Sequence, residues 1–87
     1  MKVRMEEIET ITYFNKEKHP QPIRFRIEVE GGQRQVVFID RICYIKEDKR
    51  AGNIVFLYDC QGFFHGLVRP FQLLYDIKTC KWFLYKI

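Results

Sequence analysis

FQLLYD-IKTC-KWFLYKI, from Phe71 to Ile87, is the stretch that decides the fold. Two runs rich in aromatic and aliphatic residues flank a short polar break, the pattern of a β-hairpin whose strands belong to a core. With Ile77–Cys80 as the loop, Asp76 faces Lys81, Tyr75 faces Trp82, Leu74 faces Phe83 and Leu73 faces Leu84. Cross-strand pairs of this kind contribute roughly 0.2–1 kcal/mol each. The fourth loop position tends to require positive φ and so favours Gly or Asn; here it is Cys80.

Upstream, Ile8 to Phe14 (IETITYF) is rich in β-branched and aromatic residues and reads as a first strand. NKEKHPQP breaks it, because Pro20 and Pro22 cannot donate to a ladder. PIRFRIEVEG then alternates, with Ile23, Phe25, Ile27 and Val29 expected inside and Arg24, Arg26, Glu28 and Glu30 outside. Gly31-Gly32 predicts a tight two-residue turn. Val36–Ile45 (VVFIDRICYI) carries apolar residues on both parities, which a long bent strand would resolve, with a short helix over Phe38–Ile45 as the alternative. KEDKRAGN reads as a solvated loop, NIVFLYD as a strand, CQG as a turn and FFHGLVRP as a strand or irregular return. Short strands with almost no helical period predict an all-β fold, a small curled antiparallel sheet or barrel of five to seven strands, SH3-like or OB-like in size. Its core is expected to contain Ile23, Phe25, Ile27, Val29, Phe38, Leu73, Trp82 and Leu84.

The hairpin pattern YD-x-x-T-C-x-W-x-L-Y-K-I, with PIRFR upstream, resembles a family of small uncharacterised bacterial proteins. These share an N-terminal P-I/V-R-F-R strand and a C-terminal L-x-Y-D-x-x-T-x-x-W-x-L hairpin. Pro22–Arg26 and Phe71–Ile87 carry the likeness, about a quarter of the chain. It implies a self-contained bacterial β-module and brings no activity with it.

Composition narrows the rest. At 87 residues the chain has room for one domain, 1–87, with residues 1–7 a candidate disordered lead-in. Nine of the fourteen aromatic residues fall between Phe56 and Ile87, dense enough to stabilise a small β-domain without metal or disulfide. MKVRMEEIE has no apolar stretch behind its charges, and no run approaches the ~20 residues of a membrane helix. Three cysteines, an odd count, argue against a disulfide framework. The expectation is a cytoplasmic domain without membrane attachment.

Chemistry-bearing constellations are sparse. Cys43, Cys60, His65 and Cys80 lack the close pairing by which one turn presents two thiolates to zinc, so no metal or cofactor is expected. The chain has no serine. A Cys60–His65 couple has only Asp59 to orient it. Free cysteine otherwise behaves as a small apolar residue. No enzyme is expected. The net charge of +4 admits nucleic acid as a partner, but the first fifty residues interleave eleven basic with nine acidic groups and form no basic stripe. An apolar surplus points instead to an interface. The expected function is a non-enzymatic interaction or accessory module that binds a protein partner or self-associates; the alternative is a small β-barrel binding single-stranded nucleic acid. The candidate surface comprises Arg24, Arg26, Arg34, Arg41, Val37, Ile39, Phe63 and Phe64.

Overall fold

The terminal hairpin forms in the register read from its sequence. A computed structural model describes the whole chain, Met1–Ile87. In it, strands β5 (Leu67–Asp76) and β6 (Lys81–Lys86) pair Tyr75 with Trp82, Leu74 with Phe83 and Leu73 with Leu84. The loop between them ends on Cys80 at φ 57°, the left-handed conformation the turn demands.

Four further strands complete a closed antiparallel barrel in the order β1-β2-β3-β4-β5-β6: β1 (Val3–Tyr13), β2 (Gln21–Glu28), β3 (Arg34–Arg50) and β4 (Asn53–Phe64). Two strands are shared between sheets. Val3–Ile8 of β1 pair with β6, and Glu9–Tyr13 pair with β2. Likewise Arg34–Phe38 of β3 pair with β2, and the strand from Ile39 onward pairs with β4. The lead-in is thus not a disordered extension: Val3–Glu7 are strand.

β3 is the bent strand and not a helix. Its ladder with β4 skips Asp40 and then Cys43, each an extra residue opposite none on the partner. Each bulge flips the parity of the residues beyond it. Val37, Ile39, Ile42 and Ile45 therefore all join the core, although their spacing is two, three and three. The basic-acidic stretch KEDKR is not a loop but the end of this strand; only Ala51-Gly52 turn, both at positive φ.

A bulge also corrects the expected core. Ile11 pairs with Arg24 and Thr12 with Pro22, which leaves Ile23 unpaired and turned to solvent. Phe25 and Ile27 stay inside. Phe38 lies opposite Arg24 and shares its outer face, so it too is exposed, and Val29 is half-buried in the loop after β2. That loop runs from Val29 to Gln33 between the paired Glu28 and Arg34, wider than a two-residue turn, with both glycines at positive φ.

Cys60-Gln61-Gly62 is not a turn, because β4 runs through it to the actual turn at His65-Gly66. Gly62 serves a different need. A Cβ there would sit 2.6 Å from the Phe38 carbonyl oxygen and 2.9 Å from the Phe71 ring, so the close approach of β3, β4 and β5 excludes any side chain. The interior is aromatic from end to end. Phe25, Phe64 and Phe71 pack with centroids 5.4–6.2 Å apart at one end. Tyr58 and Tyr75 flank Trp82 at 5.1 and 4.7 Å toward the other.

The two positions predict opposite outcomes for small changes of side chain. Gly62→Ala should lower stability by about 1–3 kcal/mol, the usual cost of overpacking. Cys80→Gly should leave stability unchanged or raise it by up to about 1 kcal/mol, because it relieves a left-handed L-residue. Urea unfolding of the two variants beside the parent checks both.

Candidate interaction surface

The outer side of the β1–β2–β3 corner is built by cross-strand registry. Ile11, Arg24 and Phe38 stand in one row across the three strands, and Glu9, Arg26 and Val36 in the next. Together with Thr10 and Phe25 they line an open groove of ≈ 590 Å³. Continuing the β3–β4 register one residue past Ile39↔Gly62 sets Phe63 opposite Phe38, and Phe63 pairs with Val68. A single row thus crosses five strands. In it Ile11 is 56% exposed, Phe38 56%, Phe63 49% and Val68 54%. Scattered exposed apolar residues are ordinary, whereas a contiguous set marks a binding face. The bulged Ile23 adds to it.

The arginines divide by partner. Arg26 donates from Nη2 to Glu9 Oε2 at 2.6 Å, and this guanidinium, helped by Arg34, holds the Glu9 carboxyl below its ordinary pKa. Arg24, Arg34 and Arg41 make no salt bridge. Arg24 instead lies over the Phe38 ring, 5.6 Å from its centroid. Along β3, Arg34 and Arg41 bracket the exposed Val36 and Phe38.

The expected surface residues therefore separate. Arg24, Arg26, Arg34, Arg41 and Phe63 are outside, with the first two at the groove itself. Val37 and Phe64 are not surface residues: Val37 lies opposite Phe25 inside the barrel, and Phe64 packs on Phe71. Ile39 is partly buried against the core. The sequence reading missed Ile11, Ile23, Val36 and Phe38. For Val36 and Phe38 the signal was present in the double parity of VVFI, but the strand's bends had to be known before it could be read; Ile11 and Ile23 carried no such signal.

The thiols and histidines go to separate places. Cys60 is buried, Cys43 is exposed on its bulge, Cys80 is in the β5–β6 loop and His65 is at a turn. No group of three or more His, Cys, Asp or Glu gathers as a metal ion would need. At the opposite end of the barrel the segment joining β1 to β2 acts as a strap. Phe14 packs on Tyr75, His19 stands edge-on to Phe56 at 4.6 Å, and Tyr58 donates to the Pro20 carbonyl at 2.5 Å. No helix is long and apolar enough to cross a membrane.

Set against known protein families, curated proteins and solved structures, the chain finds no match in any of the three comparisons. The functional reading therefore stands on geometry.

Burial has a consequence for pH. It pushes the Cys60 thiol up to about 12 and raises Tyr58 and Tyr75 above their ordinary 10.0. The native state thus holds protons that the unfolded chain would release, so these groups support folding fully below the unfolded values. Stability should be flat near neutrality and fall as pH rises from about 9 toward 12. Thermal melts across that range, which should show a falling midpoint, check the sign.

Proposed function

We propose that the protein is a non-enzymatic interaction module that docks another polypeptide on the outer face of the β1–β2–β3 corner. The observation that carries this reading is the exposed row Ile11, Phe38, Phe63 and Val68 over a ≈ 590 Å³ groove, with an unpaired Arg24 at its centre. An apolar floor supplies burial, and a guanidinium held on an aromatic ring supplies a directional contact to a carboxylate or carbonyl. Interface cores are enriched in aromatic residues and arginine, the composition found here.

A second reading rests on a different selection of the same face. Phe38, Tyr44 and Phe63 are exposed aromatics, with Arg24 and Arg41 nearby in register, and bases of single-stranded nucleic acid stack on such rings. The protein reading is favoured because the aliphatic Ile11, Ile23, Val36 and Val68 share the surface, Arg26 is already neutralised by Glu9, and the charge of Asp40 opposes a phosphate backbone.

The two readings part on salt and on apolar affinity. Titration with an apolar dye such as bis-ANS and with a fluorescent oligo(dT) at low and moderate salt separates them. Dye binding that survives salt and is lost in Phe38→Ser is expected. That substitution should change stability by no more than about 0.5 kcal/mol, since the ring is exposed. Tight oligo(dT) binding that falls steeply with salt, and is lost in Arg24→Glu, would replace the protein reading with the nucleic-acid one.

A further inference from the structure

The exposed rings at the corner are flanked by arginines that bind nothing else. Arg24 lies over the face of Phe38, 5.6 Å from its centroid. Arg41 is opposite Gln61 on β4, two residues along from Phe63 and on the same outer side, so it stands in the next row beside Phe38 and Phe63. The arginine hydrogen bonds of the chain are donated by Arg4, Arg26 and Arg50. Arg24 and Arg41 make none and join no salt bridge, so their N–H forks are free to meet a ligand.

Elsewhere on this face the charges are matched within the chain. Glu9 is tied to Arg26 at 2.6 Å, and Glu28 stands opposite Arg34 across the β2–β3 ladder. The one unpaired carboxylate at the corner is Asp40, on its bulge. Two free guanidiniums against one free carboxylate place the apolar floor in a positive field, of the same sign as the net charge of +4. Such a field attracts and orients anionic partners, and a carboxylate is the side-chain group whose two oxygens match the guanidinium fork. A cationic partner would face Arg24 and Arg41 with only Asp40 to receive it. A nucleic-acid strand has the right sign but needs a basic track along its backbone, and here the free cations at the rings stop at two, with Asp40 between Phe38 and Arg41 in the chain.

We infer that the polypeptide docked at this corner is acidic, seating an apolar side chain on Phe38 and Phe63 while carboxylates beside it bind Arg24 and Arg41. The inference rests on the outer face being a protein-binding surface and names the chemistry of its partner. The floor supplies burial that any apolar residue can use. The two arginines decide which flanking residues are accepted.

The test uses the whole chain, isotope-labelled, and three end-capped peptides, EEFLEE, QQFLQQ and KKFLKK, titrated at moderate salt while amide and arginine Nε–H resonances are followed. EEFLEE should bind roughly tenfold more tightly than QQFLQQ, with KKFLKK weaker still. It should also move the Nε–H signals of Arg24 and Arg41, which QQFLQQ leaves in place. Arg24→Gln and Arg41→Gln should each weaken EEFLEE by about five- to tenfold and leave QQFLQQ unchanged, whereas Phe38→Ser should remove both. Lys16→Gln, the same loss of charge on the exposed strap, should change neither, which separates contact from general attraction. Equal binding of the three peptides, EEFLEE binding indifferent to Arg24→Gln, or no EEFLEE binding at millimolar concentration overturns the inference. If QQFLQQ binding still depends on Phe38, the docking reading outlives it; if no peptide depends on Phe38, both fall. Oligo(dT) held more tightly than EEFLEE by the same two arginines also overturns it, in favour of nucleic acid.

Discussion

β3 has to belong to two sheets at once, and the shape of the whole barrel is set by how it manages this. Over seventeen residues it leaves β2, turns the corner and runs the length of β4. A regular strand making that turn would carry half of its isoleucines into water. The unpaired Asp40 and Cys43 prevent this by resetting the parity at each bend, so that Val37, Ile39, Ile42 and Ile45 stay on the inner side. β4 is bound by a related constraint, because Gly62 lets the carbonyl of Phe38 and the ring of Phe71 come close at the same corner. Deleting either extra residue would rotate everything beyond it by one face.

The sequence is legible wherever the chain is regular. The β5–β6 hairpin could be read pair by pair, including the left-handed Cys80, because local alternation and loop length fix a hairpin register. The five-to-seven-strand barrel came from strand spacing. Irregular positions were not legible. Ile23 sits in a run that alternates without fault, and nothing in that run announces the bulge that turns it outward. Gly62 looked like a turn residue because glycine signals both positive φ and close approach, and only the neighbouring strands distinguish the two. For the surface, charge was a good guide and apolar character a poor one: Arg24, Arg26, Arg34 and Arg41 are all outside, while Val37 and Phe64 went inside and Ile11 and Phe38 came out.

The same irregularities create the candidate surface. The bulge at Ile23 and the placement of Phe38 beside Arg24 move apolar side chains onto a face that a strictly alternating sheet would have kept polar. Exposure of this kind is what the proposed docking face rests on. The charge arrangement agrees. Arg26 is neutralised within the chain by Glu9, while Arg24, on the same face of β2, is left to an aromatic ring.

Trp82 is the only tryptophan and lies in the middle of the barrel, between Tyr58 and Tyr75. At those separations, excitation of either phenol passes to the indole before it can be emitted, so the folded protein glows as a tryptophan even when its tyrosines are excited. The same indole is buried away from water, which keeps its emission toward the blue. Opening the barrel would separate the rings and wet the indole in one event, giving the chain an optical signature of its own integrity without any added label.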